Sequence, residues 1–346
     1  MTDQLIERLI ERNAEQSGLY TDPGITAKRR RYRTDHPTEV AAFYCMDGRL
    51  KMNELTGGEV PTGIILPVRN IGAIFDLGWS ALKERMERAV EYAISRGKQN
   101  LFLVTYHFSI GEKHRGCRGH NYEVSAAQES ALRLIAQIER VFGKGHEQVH
   151  PVLFGIETDR KTFILHDRSG GRRAVMLEHV GADDQRLLEI IRELHPTMPK
   201  VVANDFLPFL RGNVAHVAAA TGKTPVDLDH VEDVLCVGRG GSDWLDQALV
   251  VDDDDPELDD AVAKAAGIIR ENRDADRISR QGGVLIGLSS YAKLGYQRAG
   301  AIEVAQRLTR LSMDAIKRHQ PDMDGFFTPV TGIVYLKSRK LEIIES

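Results

Sequence analysis

The chain has 346 residues, of which 42% are hydrophobic and 28% charged, with a formal net charge of −4. That is enough apolar material for one large domain or two ordinary ones. The charge balance argues against nucleic acid or an anionic membrane as partner, and no apolar run reaches membrane-spanning length. Three cysteines (Cys45, Cys117 and Cys236), an odd number without clustered spacing, fit a reducing, cytoplasmic setting in which thiols serve as metal ligands or stay plain.

In chain order, "MTDQLIERLIERNAEQ" reads as an amphipathic helix rather than a signal peptide, with Leu5, Ile6, Leu9 and Ile10 on one face of a helix over 3–15. "KRRRYR" (Lys28 to Arg33) is expected in an irregular stretch, as solvated or ion-paired surface. From residue 40 an α/β rhythm begins. A strand at 40–46 ends in "CMDGR", and "GIILPV" reads as a second strand. A helix follows over 80–96, with Ser80 as N-cap and Gly97 as its stop. "LFLVTY" (Leu101 to Tyr106) is a buried-type strand, a polar loop reaches Asn121, and a helix runs to about Phe142. Strands at 150–156 and 162–166 flank the turn "ETDR". The alternation predicts a mostly parallel sheet flanked by helices.

The second half repeats this pattern. "EDVLCVGRGG" parallels "AAFYCMDGRL", which sets Cys236 against Cys45, Gly238 against Asp47 and Gly240 against Arg49. "GVLIGLSSY" parallels "NLFLVTYHFS", with Ser290 against His107, and "GIVYLKSRKLEII" parallels "LFGIETDRKTFIL". The expected organisation is an N-terminal helix and basic arm (1–39), a unit with the reactive side chains (40–183), a helical connector (184–229) and a degenerate second unit (230–346). Reactive side chains lost together from one copy argue for a site in the other.

The metal-capable residues of the first half are Cys45 and Cys117, with His107, His114 and His120. Two thiolates and one imidazole suit catalytic zinc, one ion per chain, with a fourth position for water. Cys45 and His107 sit at strand ends, where ligand sites gather in open α/β sheets. Cys117 precedes a helix whose dipole favours a thiolate. His114 forms a compact H-x-x-C with Cys117, whereas His107 is held at a strand end; rigidity favours His107, with His114 as the alternative. Asp47 and Arg49 can pair across a loop. The carboxylate is then free to accept the hydrogen of a metal-bound hydroxide and aim its lone pair. "VDDDDPELDD" (Val251 to Asp260) reads as an acidic helix start, and "DRSGGRR" (Asp167 to Arg173) as a solvated turn.

These residues resemble the β-class carbonic anhydrases through "CMDGR" (45–49), "RNIG" (69–72) and "YHFSIGEKHRGC" (106–117). In the ordinary family the histidine lies two residues before the cysteine. The longer spacing here, "RGCRGHN", "LFGIETDRKTFILH" and the degenerate second half are most similar to the carboxysome shell branch, a fused pseudo-dimer with a single site. That branch carries a large N-terminal helical domain, whereas about 40 residues precede the first strand here. The resemblance implies an internally duplicated β-carbonic anhydrase-like α/β fold. It implies reversible hydration of carbon dioxide to bicarbonate and a proton by zinc-bound hydroxide, with zinc on Cys45, His107 and Cys117. His120 or His114 would relay the proton. Partners would be further copies of the pseudo-dimeric chain and carboxysome components. Other expectations on the same scaffold are hydrolysis of carbonyl sulfide or carbon disulfide, or a non-catalytic zinc protein of bicarbonate sensing or uptake.

Overall fold

A computed structural model describes residues 2–143, 148–167, 173–220, 229–241 and 244–344. The first part of the chain forms α1 (Thr2–Thr21), α2 (Pro23–Asp35), β1 (Glu39–Cys45), α3 (Met52–Leu55), β2 (Ile65–Asn70), α4 (Ser80–Ile94), β3 (Asn100–Phe108) and α5 (Val124–Ile138). There follow β4 (Val149–Glu157), β5 (Thr162–His166), β6 (Ala174–Met176), α6 (Asp184–Leu194) and α7 (Lys200–Ala220). The last part forms β7 (Val234–Gly238), β8 (Ala248–Val251), α8 (Leu258–Asp274), β9 (Gly283–Tyr291), α9 (Tyr296–His319), β10 (Phe327–Tyr335) and β11 (Lys340–Ile344). These elements group into two units, one of Ala27–Cys45 and Leu50–Asp229, the other of Met1–Thr26, Met46–Arg49 and His230–Ser346.

In the first unit the sheet order is β2-β1-β3-β4-β5-β6. β1 pairs in parallel with β2 and β3, and β3 with β4; β5 and β6 add antiparallel. A central parallel strand is covered on both faces, and Val40 to Cys45 are accordingly all buried. α4 turns Leu82, Met86, Val90 and Ala93 inward at helical spacing. The core is closed by Phe43, packed edge-on against Phe75 and Phe102 with ring centres 5.4 and 5.7 Å away.

The second unit has the sheet order β8-β7-β9-β10-β11. Matched strand for strand this is β2-β1-β3-β4-β5, with the same parallel pairs and the same antiparallel last pair. The hairpins agree in detail. Glu157 faces Thr162 across one turn and Tyr335 faces Lys340 across the other, with Lys161 (φ 56°) and Arg339 (φ 61°) left-handed at the same place. The α/β duplication expected from sequence is therefore the architecture of the chain.

Register corrects one detail of it. Val40 pairs with Leu101 and Val234 with Val284, so Cys236 takes the place of Ala42, not of Cys45. Continuing the ladder brings Arg239 to the Cys45 position. Its guanidinium holds Asp253 and Asp254, each at 2.6 Å, which accounts for much of the acidic run. Asp259 and Asp260 lie in the first turn of α8, as an acidic helix start should. Ser290 holds the eighth rung of the β9–β10 ladder, as His107 does in β3–β4.

Three smaller expectations change. "KRRRYR" is helical, within α2, and Arg29 is buried with its Nη1 3.5 Å from the Thr62 carbonyl. Ile10 is exposed, while Leu9 is buried and Leu5 and Ile6 pack beside it in the second unit's core. Trp79, not Ser80, is the N-cap of α4. Within "DRSGGRR", residues 168–172 lie outside the described residues.

α7 crosses the loop after α3 at Gly212, where an added Cβ would stand 2.0 Å from the Thr56 carbonyl oxygen. Gly212→Ala should therefore cost about 1–3 kcal/mol in urea unfolding through overpacking, although alanine is the better helix former by about 1 kcal/mol. An unchanged or raised midpoint would contradict this packing.

Candidate metal centre

Cys45 is the last residue of β1, His107 the last but one of β3, and Cys117 lies in the loop between β3 and α5. The structure brings these three together. Their potential ligand atoms all lie within 4.8 Å of one another, and all three residues are buried. The neighbouring parallel strands explain two of them. Phe43 pairs with Val104, so two residues further on Cys45 comes level with Tyr106 and beside His107.

The "RNIG" segment shapes this end of the sheet. Arg69, 2% exposed, lies with Nε 3.3 Å from the Cys45 carbonyl oxygen and its guanidinium 4.9 Å from the Tyr44 ring centre. Gly72 takes φ 63°, and a Cβ on Gly119 would fall 2.6 Å from its Cα. The two glycines let the turns Ile71–Ala73 and Arg118–His120 touch, just beyond Cys117. Cys117 caps this short turn rather than α5, whose N-cap is Glu123, so the expected helix-dipole effect does not act through α5's first turn.

The histidines separate clearly. His107 is 2% exposed, with Nδ1 3.4 Å from the Thr158 hydroxyl oxygen. His114 is exposed, with Nε2 3.3 Å from Asp229, and stands outside the cluster. His120 donates from Nε2 to the Gly72 carbonyl at 2.9 Å. Burial is the main cause that pushes its pKa below the ordinary 6.5, so it is a weak proton acceptor near neutrality.

Two thiols and an imidazole are the donors that zinc and other borderline-soft metals take, and three ligands leave a position open. The donor set fits a catalytic metal, and the group could bind one.

Asp47 and Arg49 belong to the other unit and form a bidentate pair. Arg49 Nε and Nη2 meet Asp47 Oδ1 and Oδ2 at 2.9 and 2.5 Å, and the Arg49 amide also donates to Oδ1 at 2.9 Å. Arg49 Nη2 donates to His230 Nε2 at 2.9 Å, and His230 Nδ1 meets Glu232 Oε2 at 3.0 Å. Glu232 accepts from the Gly48 amide at 3.2 Å. Because a guanidinium only donates, Nε2 accepts and Nδ1 carries the proton while the imidazole is neutral; the charged form would instead turn its Nε2 proton to the Asp47 carboxylate, 3.9 Å away. Sequence reading missed His230 and Glu232: they lie more than 180 residues from Asp47, and "HVEDV" looks like any strand entry.

Burial opposes a charge on His230, but the Glu232 and Asp47 carboxylates outweigh it and raise its pKa above 6.5. Burial likewise opposes the charge on Glu232, and His230 outweighs it to lower the Glu232 pKa. The raised histidine contributes stability that is full below its unfolded pKa of about 6.5 and is lost as pH rises through its folded value. In Glu232→Gln, burial should dominate and His230 should titrate below 6.5 by NMR, reversing the sign of that dependence. A His230 pKa that stays raised in this variant would contradict the pairing.

Residues 35–190 match the family model of the carboxysome shell carbonic anhydrase, catalytic domain. The span includes Cys45, Asp47, Arg49, His107 and Cys117. No curated protein matches the chain. The resemblance read from "CMDGR", "RNIG" and the His107–Cys117 loop thus holds independently over 35–190: this stretch is a carbonic anhydrase catalytic domain of the carboxysome shell type, and the protein is an enzyme, a carbonic anhydrase.

Proposed function

We propose that this carbonic anhydrase depends on zinc, one ion per chain held by Cys45, His107 and Cys117, and that it hydrates carbon dioxide reversibly to bicarbonate and a proton. One observation carries this: the buried Cys45–His107–Cys117 cluster lies inside the matched catalytic domain. Zinc bound there would lower the pKa of its water towards about 7, which supplies the nucleophile near neutral pH.

The chain's own residues do the rest. Thr158 faces His107 Nδ1 and leaves Nε2 as the ligand nitrogen. Asp47 follows Cys45 by two residues in the chain, and its bond to Arg49 keeps it an ionised acceptor. We assign it the acceptance of the attacking oxygen's hydrogen, which aims that oxygen's lone pair at carbon dioxide, and Arg49 the fixing of the carboxylate plane. In this reading 40–183 is the catalytic unit, 230–346 a unit without ligands, 184–229 a connector and 1–39 an arm. The description of the matched family supports association with carboxysome shells, and to it we add, as part of the same proposal, a cytoplasmic setting and further assembly of pseudo-dimeric chains.

Stopped-flow hydration of carbon dioxide by reduced, zinc-loaded protein tests the reading, with metal content measured in parallel. Cys117→Ala should lose the zinc and lower the rate by roughly three orders of magnitude or more. Asp47→Asn should keep the zinc and lose most of the rate. Full activity in Cys117→Ala, or a wild-type protein that takes up no zinc, would overturn the assignment.

A further inference from the structure

Resting on the zinc reading, we propose that the β4–β5 turn, Glu157–Thr158–Asp159, is the outer clamp of the metal centre. Thr158 is a positioning residue that sets the tautomer and direction of His107. Glu157 and Asp159 position the loop that delivers Cys117.

The Thr158 hydroxyl lies 2.9 Å from the Phe108 carbonyl oxygen, which can only accept, so the hydroxyl proton is committed there. Towards His107 Nδ1, at 3.4 Å, the same oxygen can then only accept. The imidazole proton is thereby placed on Nδ1 and a lone pair on Nε2, as a metal-binding histidine requires. On either side of Thr158, two carboxylates hold the loop. Buried Glu157 accepts from the Ile110 amide at 3.1 Å and from its own turn at Arg160 N, 2.8 Å. Asp159 accepts from Ser109 Oγ at 2.6 Å and from the Gly111 amide at 2.9 Å. Three successive side chains thus hold His107 and residues 109–111 of the loop that leads to Cys117.

The duplicated unit supplies an internal control. The backbone bond from Thr158 N to Phe108 O, 2.8 Å, recurs as Leu336 N to Tyr291 O, 2.9 Å, on the matching hairpin. Yet the three side chains there are Tyr335, Leu336 and Lys337, and the strand-end histidine is Ser290. The hairpin therefore forms without a hydroxyl or carboxylates at these positions. Clamp and ligand are absent together from the same copy, so the clamp serves the ligand rather than the turn.

The test is zinc affinity, measured by chelator competition and by the charge-transfer spectrum of the cobalt-substituted protein, alongside the thermal midpoint of the metal-free form. Thr158→Val should bind zinc roughly 10–100-fold more weakly with an altered cobalt spectrum, and Thr158→Ser should bind like wild type. Asp159→Ala, at a partly exposed position, should weaken binding in the same direction and speed hydrogen exchange at Gly111. This arm keeps the test decisive should Thr158→Val unfold. Wild-type affinity in both Thr158→Val and Asp159→Ala, or equal loss in Thr158→Ser and Thr158→Val, would overturn the clamp while leaving the zinc reading intact. A wild-type protein that binds no zinc would overturn that reading and the clamp with it.

Discussion

Two thiols and an imidazole, buried within 4.8 Å of one another, are the constraint on which the site of the first unit depends. As neutral groups they would be small hydrophobes filling the end of a sheet. As thiolates, buried with so little water, they need a cation beside them, because burial alone pushes a thiol pKa up. The topology meets half of that demand before any loop is placed. β1 and β3 are adjacent and parallel, so their C-terminal ends lie side by side and carry Cys45 and His107 to one spot. The bulge of local chemistry around them has backbone duties. Arg69 holds the end of β1 through its carbonyl, and Gly72 and Gly119 allow two turns to touch without side chains between them.

The second unit shows what the same topology does without that constraint. Its sheet order, its parallel pairs and even its left-handed hairpin residue repeat those of the first. At the position of Cys45 stands Arg239, flanked by Gly238 and Gly240 with φ of 110° and 109°, and its charge is met by Asp253 and Asp254. An arginine cannot give up its proton to bind a metal, so this strand end is committed to an ion pair. The fold tolerates either occupant because the strand ladders, not the strand-end side chains, carry the architecture.

Strands, helices and duplication were legible because they rest on local periodicity, which both halves spell out in short apolar runs. Cys45, His107 and Cys117 were legible because cysteines are few, and Cys45 and His107 fall at strand ends while Cys117 lies in the loop that follows one of them. Alignment by residue identity failed where geometry decides: matching Cys236 to Cys45 looked natural as text, yet the ladder displaces it by three residues, onto the Ala42 rung. The helix through "KRRRYR" was masked by its charge, since repeated arginines give no apolar stripe, and its packed face is marked by Arg29, buried against Thr62, and by Arg33, which donates to the Gly63 carbonyl at 2.8 Å. His230 and Glu232 had no sequence signal at all. Their partners Asp47 and Arg49 are remote in the chain, and a single histidine before a strand carries no pattern.

The departure from the ordinary spacing of histidine and cysteine gives the β4–β5 turn its importance. With the two ligands two residues apart, the strand itself would fix both. Here residues 108–116 intervene, and closing a loop of that length costs on the order of 2 kcal/mol in chain entropy, besides the cost of left-handed Asn121 and Tyr122 just past Cys117. A ligand on such a loop would be imprecise unless other groups ordered it. A hydrogen bond contributes about 0.5–1.5 kcal/mol net, and Glu157 and Asp159 receive three of them from Ile110, Ser109 and Gly111. That is sufficient to offset the closure cost. The longer loop and the acidic turn are therefore two parts of one arrangement, and "ETD" at 157–159 is where a sequence reader would look for the counterpart of a lengthened His–Cys loop.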